Sequence, residues 1–375
     1  MNAAPATTGS PATAAIGPTN GGCGEGRLIK FLKADSSVSQ VPGIVSSFTT
    51  NTFAPNTTIS ARTSRLNSLN QLVADQELRG GLSVDVPVTS SQPTVGTILT
   101  SPLTFTGGGG TRSTLFDPQT VGTSILTIPS PVPGFSAPTT LQAVTANVRA
   151  PEVRIGAANI TTQRIGRDLQ ITLQVTLENA PPQPVDVIVT VAAGGEGITA
   201  VTKTVTAVGT NTVSYTGVTS TLAGSLTIQG LALGSTHITA IAAGYNDSTA
   251  TVSVEPSGFY VLGPSGLTTV NTTVGAANTA LTVHSAALDP TTLNLRADQE
   301  LRGGLTVNVP VTSSNTVVGT ITISPVVLTG GGGSQKPSAF DPASVGTAVV
   351  TIPTPVPGFS TVSNFSTGVT INVAP

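Results

Sequence analysis

The chain has 375 residues, of which 38% are hydrophobic and only 9% are charged, and its formal net charge at pH 7 is −2. This balance lacks the basic surface that nucleic-acid binding needs, and no apolar run reaches the roughly 18 residues of a membrane span. The single cysteine, Cys23, excludes an internal disulfide and a cysteine-based zinc site.

Residues 1–26 are rich in Ala, Thr, Pro and Gly and contain no aromatic residue, which predicts a flexible tail. They have neither the basic n-region nor the apolar h-region of a secretory signal. The next residues predict one strand, whose apolar members are Leu28, Ile29, Phe31 and Leu32. We therefore expect residues 1–45 to be a flexible tail with a strand that can pair with the open sheet edge of a neighbouring copy.

The chain contains an internal duplication. Residues 74–110 and 297–333 are identical at 27 of 37 positions at an offset of 223, and both begin with ADQELRGGL. Residues 116–136 match residues 340–360 at 15 of 21 positions after a slip of one residue. Two copies of one domain therefore occur in the chain.

The repeat predicts strands with one buried face. Leu82, Val84, Val86 and Val88 have apolar counterparts 223 residues later, whereas the Ser and Asp between them change to Thr and Asn. This alternation is typical of a strand with one face in a core and the other in water. Because Pro87 cannot donate to a ladder, we expect an edge strand or a bulge there.

Residues 149–256, between the copies, show the same pattern of short apolar runs and turn residues. Runs rich in Val, Ile and Thr are separated by turn signals about every 8–12 residues, a spacing typical of β-sandwiches. No long segment has a helical period. We predict an all-β protein of tandem immunoglobulin-like β-sandwiches, with domains at residues 46–148, 149–256 and 257–375.

The segment LAGSLTIQGLALGSTHITAIAAGYNDSTATVSV, residues 222–254, contains a G-L-x-x-G-x-x-x-I-T-A turn and strand, then A-x-G-Y and a final T-A-T-V-x-V strand. In this pattern it resembles the closing strands of bacterial immunoglobulin-like (Big) domains. The duplicated units lack A-x-G-Y and resemble more divergent relatives. The resemblance implies tandem sandwiches in a bacterial cell-surface or otherwise extracellular protein, where they serve as spacers or adhesive modules.

Four consecutive glycines follow a strand in each copy. A phosphate-binding loop would continue with Lys-Ser/Thr and a helix, and neither follows here. We interpret both runs as long mobile hairpin loops; the alternative is a contact surface that a partner's backbone approaches closely. The positions are Gly107, Gly108, Gly109, Gly110, Gly330, Gly331, Gly332 and Gly333.

Groups suited to catalysis are few. His237 and His284 have no second His, Cys or acid at ligand spacing, so we interpret them as strand histidines. The charged segment of residues 75–79, repeated at residues 298–302, is interpreted as a solvated turn with a local Glu–Arg pair. We expect no enzyme activity, no cofactor and no metal site.

These observations favour a structural protein of the bacterial cell surface or extracellular space: a stalk, fibre or surface-layer segment. Its expected partner is itself, as neighbouring copies or as adjacent domains of a longer array. Two alternatives stay open: a self-polymerising filament subunit that donates a strand from residues 27–45, and an adhesin module that binds a glycan or a host receptor.

Overall fold

The computed structural model describes residues 27–33, 47–129, 132–157, 161–353, 355–365 and 368–375, with only the backbone of residues 27–33. Its regular elements are β-strands and two short 3-10 helices, Pro264–Gly266 and Ser363–Phe365. The described residues divide into two compact units; one ends at Arg149, and the other comprises Asn51–Ala54 and the residues from Ala150 onward. The predicted all-β fold of tandem sandwiches is confirmed. The tail expected at residues 1–26 and 34–45 lies outside the described residues.

The first unit holds one sandwich. Its strands are β1 (Arg27–Lys33), β2 (Ser47–Asn51), β3 (Thr57–Leu66), β4 (Leu72–Asp75), β5 (Ser83–Val86), β6 (Thr89–Ser90), β7 (Gly96–Ile98), β8 (Leu103–Thr106), β9 (Thr111–Pro118), β10 (Gly122–Thr127) and β11 (Ala143–Arg149). One sheet has the order β1-β3-β9-β7, with β4 also paired to β3; the other has the order β2-β11-β10-β6. Strands β5 and β8 form a separate two-stranded ribbon.

Alternating side chains build the core of this first sandwich. Phe105 and Phe116 are fully buried, and the Phe116 ring meets Phe48 edge-on at 5.7 Å between centroids. Val86 and Val88 point into the same core, and β5 ends before Pro87. The apolar face predicted for this strand is therefore the one that packs.

The middle sandwich opens the second unit. Its strands are β12 (Val153–Ile155), β13 (Thr162–Gly166), β14 (Leu169–Leu177), β15 (Val185–Val191), β16 (Thr199–Thr202), β17 (Thr212–Val218), β18 (Leu222–Gly230), β19 (Gly234–Ala242) and β20 (Ser248–Glu255). The sheets have the orders β12-β14-β18-β16 and β13-β20-β19-β15-β17.

The third sandwich follows after Pro256. Its strands are β21 (Ser257–Leu262), β22 (Thr269–Thr273), β23 (Thr279–Leu288), β24 (Leu295–Asp298), β25 (Glu300–Leu301), β26 (Thr306–Val309), β27 (Thr312–Ser313), β28 (Gly319–Ile321), β29 (Val326–Thr329), β30 (Gln335–Pro342), β31 (Gly346–Thr351), β32 (Ser360–Thr361) and β33 (Val369–Ala374). Its sheets have the orders β28-β30-β23-β21-β32, with β24 also on β23, and β22-β33-β31-β27; β26 and β29 form a ribbon.

The first and third sandwiches share one topology, as the duplication predicts, except that β25 and β32 have no counterpart among the described strands of the first. Strand β1 pairs with β3 antiparallel and places Arg27 opposite Arg65, just as β21 pairs with β23 and places Ser257 opposite Ala287. Strand β1 is thus the counterpart of β21, and its partner strand belongs to its own chain.

Both sandwiches of the second unit pair their second strand with their last strand in parallel. Strand β13 lies beside β20, and β22 lies beside β33, over five residue pairs in each case. The backbone N–H of Thr251 donates to the Thr161 carbonyl oxygen over 2.7 Å, and that of Thr370 donates to Thr268 over 2.8 Å. The strands near the start and end of each sandwich are thereby held side by side.

Candidate functional site

The middle and third sandwiches meet through the sequence QELRGG of the third sandwich, residues 299–304, which we call the third strip. Within it, β25 adds to the edge of β14 with Leu301 opposite Leu169. Both leucines are fully buried, and they belong to one hydrophobic cluster that runs through the two sandwiches. The junction is therefore a packed interface with its own strand pairing.

A buried amide lies at the centre of this interface. The Gln170 side chain, 1% exposed, donates from Nε2 to the Val205 carbonyl oxygen at 2.7 Å and to Glu300 Oε1 at 3.1 Å. Its Oε1 accepts from the backbone N–H of Gly303 at 2.9 Å and from Gln229 Nε2 at 3.0 Å. All the hydrogen-bonding positions of this amide are used, which satisfies an otherwise costly buried group.

Charged and polar contacts flank the amide. Arg302 Nε lies 2.9 Å from Asp168 Oδ1, and both side chains are about three-quarters buried. The Gln299 amide bridges back to the main chain of the middle sandwich: Oε1 accepts from Gly166 N–H at 2.8 Å, and Nε2 donates to the Arg164 carbonyl oxygen at 2.9 Å.

Two glycines allow the main chains to approach closely. A side chain at Gly303 would collide with the Ala207 carbonyl oxygen, and one at Gly331 would lie 2.8 Å from the Thr206 methyl group. Glycine at these positions therefore lets the third strip and the four-glycine turn lie against the loop that contains Ala207.

A second ion-pair group spans the same junction. Glu255, the last residue of β20, is 3% exposed and contacts Arg164 of its own sandwich. Its Oε2 also lies 3.2 Å from Arg296 Nε of the third sandwich, and Arg296 in turn lies 2.7 Å from Asp289. The buried Glu255 carboxylate thus lies beside the guanidinium groups of Arg164 and Arg296, which compensate its charge.

An aromatic and acidic cluster lies within the third sandwich. His284 Nδ1 lies 2.8 Å from Asp298 Oδ2, Tyr260 Oη donates to Asp298 Oδ1 at 2.7 Å, and the two rings stack at 4.7 Å. Burial opposes ionisation of Asp298, but the hydrogen bonds from His284 and Tyr260 outweigh it and lower the pKa of the carboxyl. Burial raises the pKa of Tyr260, and the hydrogen bond to the negatively charged Asp298 raises it further. The cluster links β21, β23 and β24.

The four-glycine runs are not hairpin loops, contrary to our expectation. In the first sandwich the run joins β8 to β9, and these two strands do not pair with each other. Strand β8 pairs with β5, whereas β9 pairs with β3 and β7. The run is bonded to its surroundings: Gly107 N–H donates to Leu82 and Gly108 N–H to Leu78. The run at Gly330–Gly333 likewise joins β29 to β30, whose partner strands also differ. Whether either run contacts a partner molecule stays a prediction.

Strand β1 carries the other predicted contact residues, Leu28, Ile29, Phe31 and Leu32. It pairs along its length with β3 of the same chain, from Arg27 to Lys33. Its proposed exchange with a neighbouring copy would require this pairing to open.

The interface residues were missed because the charged segment was interpreted as a solvated turn in both copies. A signal for the His284 cluster existed: His284 replaces Arg62 of the first copy, and Arg62 lies 2.9 Å from Asp75, the counterpart of Asp298. Two different nitrogen-bearing side chains that both face the same retained aspartate indicate a pair.

Within the described residues, no group of three or more His, Cys, Asp or Glu side chains could hold a metal ion. In the same part of the chain, no helix is both long and apolar enough to cross a membrane.

No protein-family model and no curated protein sequence matches this chain. Among solved structures, it is similar to domains 4–9 of the surface layer protein SbsC, with 15% identity and a TM-score of 0.30, over 92% of this chain and 47% of that chain. It is also similar to the Yersinia pseudotuberculosis adhesin InvE, with 14% identity and a TM-score of 0.22, over 56% of each chain. It is similar as well to an I-band fragment of titin, with 9% identity and a TM-score of 0.19, over 93% of this chain and 98% of that chain. At these identities and scores the likeness carries no argument about function.

Proposed function

We propose that this chain is a non-enzymatic, load-bearing segment of a bacterial cell-surface or extracellular structure, a stalk, fibre or surface layer built of tandem immunoglobulin-like sandwiches. Its middle sandwich belongs, in this proposal, to the Big type that its closing strands resemble. The partners are adjacent sandwiches and neighbouring copies.

The observation that carries the proposal is the parallel pairing of β13 with β20 and of β22 with β33. When a sandwich is pulled from its two ends, these parallel neighbours are drawn in opposite directions along their length. Their hydrogen bonds are then loaded together in shear instead of being opened one by one. Such an arrangement resists extension more than a strand pair that peels apart from one end.

The junction between the middle and third sandwiches supports the same role. It combines strand pairing, the buried Gln170 amide and the Asp168–Arg302 contact, while the covalent connection is the single residue Pro256. Proline has a fixed φ and little freedom, which limits the relative motion of what it joins. A flexible linker between the two sandwiches would instead be a longer segment rich in Gly and Ser.

Single-molecule pulling of the full chain from its two ends tests the proposal. We expect the middle and third sandwiches to unfold in separate high-force steps. Thr251→Pro removes the hydrogen bond to Thr161 and should lower the unfolding force of the middle sandwich alone; Thr370→Pro should do so for the third sandwich alone.

The matched control is Thr370→Val, which keeps the backbone N–H and the branched side chain and should leave the unfolding force of the third sandwich unchanged. If the proline variants unfold at the wild-type force, the load-bearing role is wrong. Surface location is a separate question, which antibody binding to intact cells of the source bacterium answers.

A further inference from the structure

The sequence QELRGG occurs twice, and only one occurrence is covered. Residues 76–81, which we call the first strip, are identical to the third strip. In the third strip, Glu300 and Arg302 are half-buried and Gly303 is buried; in the first strip, their counterparts Glu77, Arg79 and Gly80 are exposed. The same six residues are thus an interface in one sandwich and a surface in the other.

The two strips have the same internal conformation. The hydroxyl of Thr63 donates to the Gln76 carbonyl oxygen at 2.5 Å, and that of Ser285 donates to the Gln299 carbonyl oxygen at 2.7 Å. Each strip then turns at a glycine in the left-handed region, with φ of 77° at Gly81 and 78° in the third strip. The geometry that docks in the third sandwich is therefore already formed in the first.

The contacts that the third strip makes are missing from the first. A side chain added at Gly80, Gly81 or Gly108 would meet nothing within 4 Å, whereas their counterparts in the third sandwich lie against the middle sandwich. Among the described residues, the side chains of Glu77 and Arg79 have no hydrogen-bonding or charged partner. A cavity of about 180 Å³ opens beside them.

We infer that the first strip is a docking site for an immunoglobulin-like sandwich of the middle type that belongs to another polypeptide. The partner is defined by its chemistry, the sequence G-x-D-L-Q that Gly166–Gln170 carries here. Its aspartate pairs with Arg79, its glutamine amide bonds to Glu77 and the Gly80 N–H, and its strand edge pairs with Glu77 and Leu78. Docking repeats the junction inside the chain at a second place.

The middle sandwich of the same chain is not the occupant, because its own G-x-D-L-Q turn is already covered by the third strip. An uncovered turn of this type is needed. Docking of such a partner would join this chain to the next sandwich of a load-bearing array. The docking itself does not depend on the proposed function; only its role in carrying load does.

The test uses hydrogen exchange measured by mass spectrometry on the full chain and on one fusion. In the fusion, a second copy of residues 150–256 replaces residues 1–26, so that Pro256 precedes Arg27 as it precedes Ser257 in the chain itself. Peptides from the two strips differ in their flanking residues and are resolved by mass, so each molecule carries its own internal reference.

We expect the Gly80 amide to exchange fast and the Gly303 amide slowly in the wild-type chain. In the fusion, exchange at Gly80 should slow by roughly tenfold or more, the effect of one newly made buried hydrogen bond. Gly80→Arg in the fusion should restore fast exchange across the rest of the first strip while β9 stays protected.

Fast exchange at Gly80 in a fusion whose β9 and β20 are both protected would overturn the inference, because the partner would be folded, tethered and still undocked. Slow exchange at Gly80 already in the wild-type chain would also overturn it, because the chain itself would then cover the strip. Neither result concerns the unfolding force, so the proposed function stands or falls separately.

Discussion

Arg302 and Asp168 are joined twice across the junction of the middle and third sandwiches. The guanidinium Nε lies 2.9 Å from the carboxylate, and the Arg302 backbone N–H donates to the Asp168 carbonyl oxygen over 3.0 Å. The side-chain pair is thus held in place by a main-chain bond beside it. Its counterpart in the first sandwich, Arg79, has the same sequence around it, and its side chain has no hydrogen-bonding or charged partner among the described residues.

This difference predicts unequal effects of one substitution. Arg302→Ala should lower the free energy of unfolding of the second unit by about 1 kcal/mol, the scale of a partly screened, hydrogen-bonded ion pair. Arg79→Ala, the matched control, should change the stability of the first unit by less than about 0.5 kcal/mol. Urea unfolding of both full-length variants measures this. Equal effects at the two positions would contradict an interface role for Arg302.

The buried amide of Gln170 gives a larger effect. Gln170→Leu strands the Gly303 N–H and the Val205 carbonyl oxygen away from water, which should cost about 2–4 kcal/mol. Gln174 lies on the same strand with its side chain exposed, so Gln174→Leu is the control and should be nearly neutral. Denaturant unfolding of both variants measures the difference. A neutral Gln170→Leu would show that the amide network does not stabilise the junction.

Asp298 predicts part of the acid sensitivity. Because its pKa in the folded chain lies below the usual 3.8, ionised Asp298 contributes stability above about pH 4, and this contribution is lost as the pH falls through the lowered pKa. Asp298→Asn should therefore be less stable than the wild type at pH 7, and the difference in stability should shrink as the pH falls below about 4. Thermal unfolding against pH measures it. A gap that is constant with pH would mean that the charge of Asp298 does not stabilise the fold.

Much of the architecture is readable from the sequence because it depends on local pattern. The alternation at Leu82, Val84 and Val86 fixes which face of that strand is buried, and the duplication predicts that two sandwiches share a topology. Hydrophobic periodicity and turn residues are short-range signals, and these strands follow them.

The junction could not be read in the same way. The strips at residues 76–81 and 299–304 are identical, so no local property distinguishes a covered strip from an exposed one. The third strip is covered because the middle sandwich packs against it. Gln170 likewise lies in a strand, and nothing in the neighbouring sequence shows that its side chain is buried. Its amide is bonded to Gly303, which is 133 positions away in the sequence.

The same pair of strips offers the sharpest single-residue comparison. A methyl group at Gly303 would collide with the Ala207 carbonyl oxygen, and backbone cannot yield as a flexible side chain does, so Gly303→Ala should cost about 1–3 kcal/mol. The same change at Gly80 meets open space, and the loss of freedom in the unfolded chain makes it neutral or slightly stabilising. Urea unfolding of the two variants, followed by hydrogen exchange across each strip, measures both effects. Equal destabilisation at the two positions would mean that the turn itself, and not the neighbouring sandwich, requires glycine there.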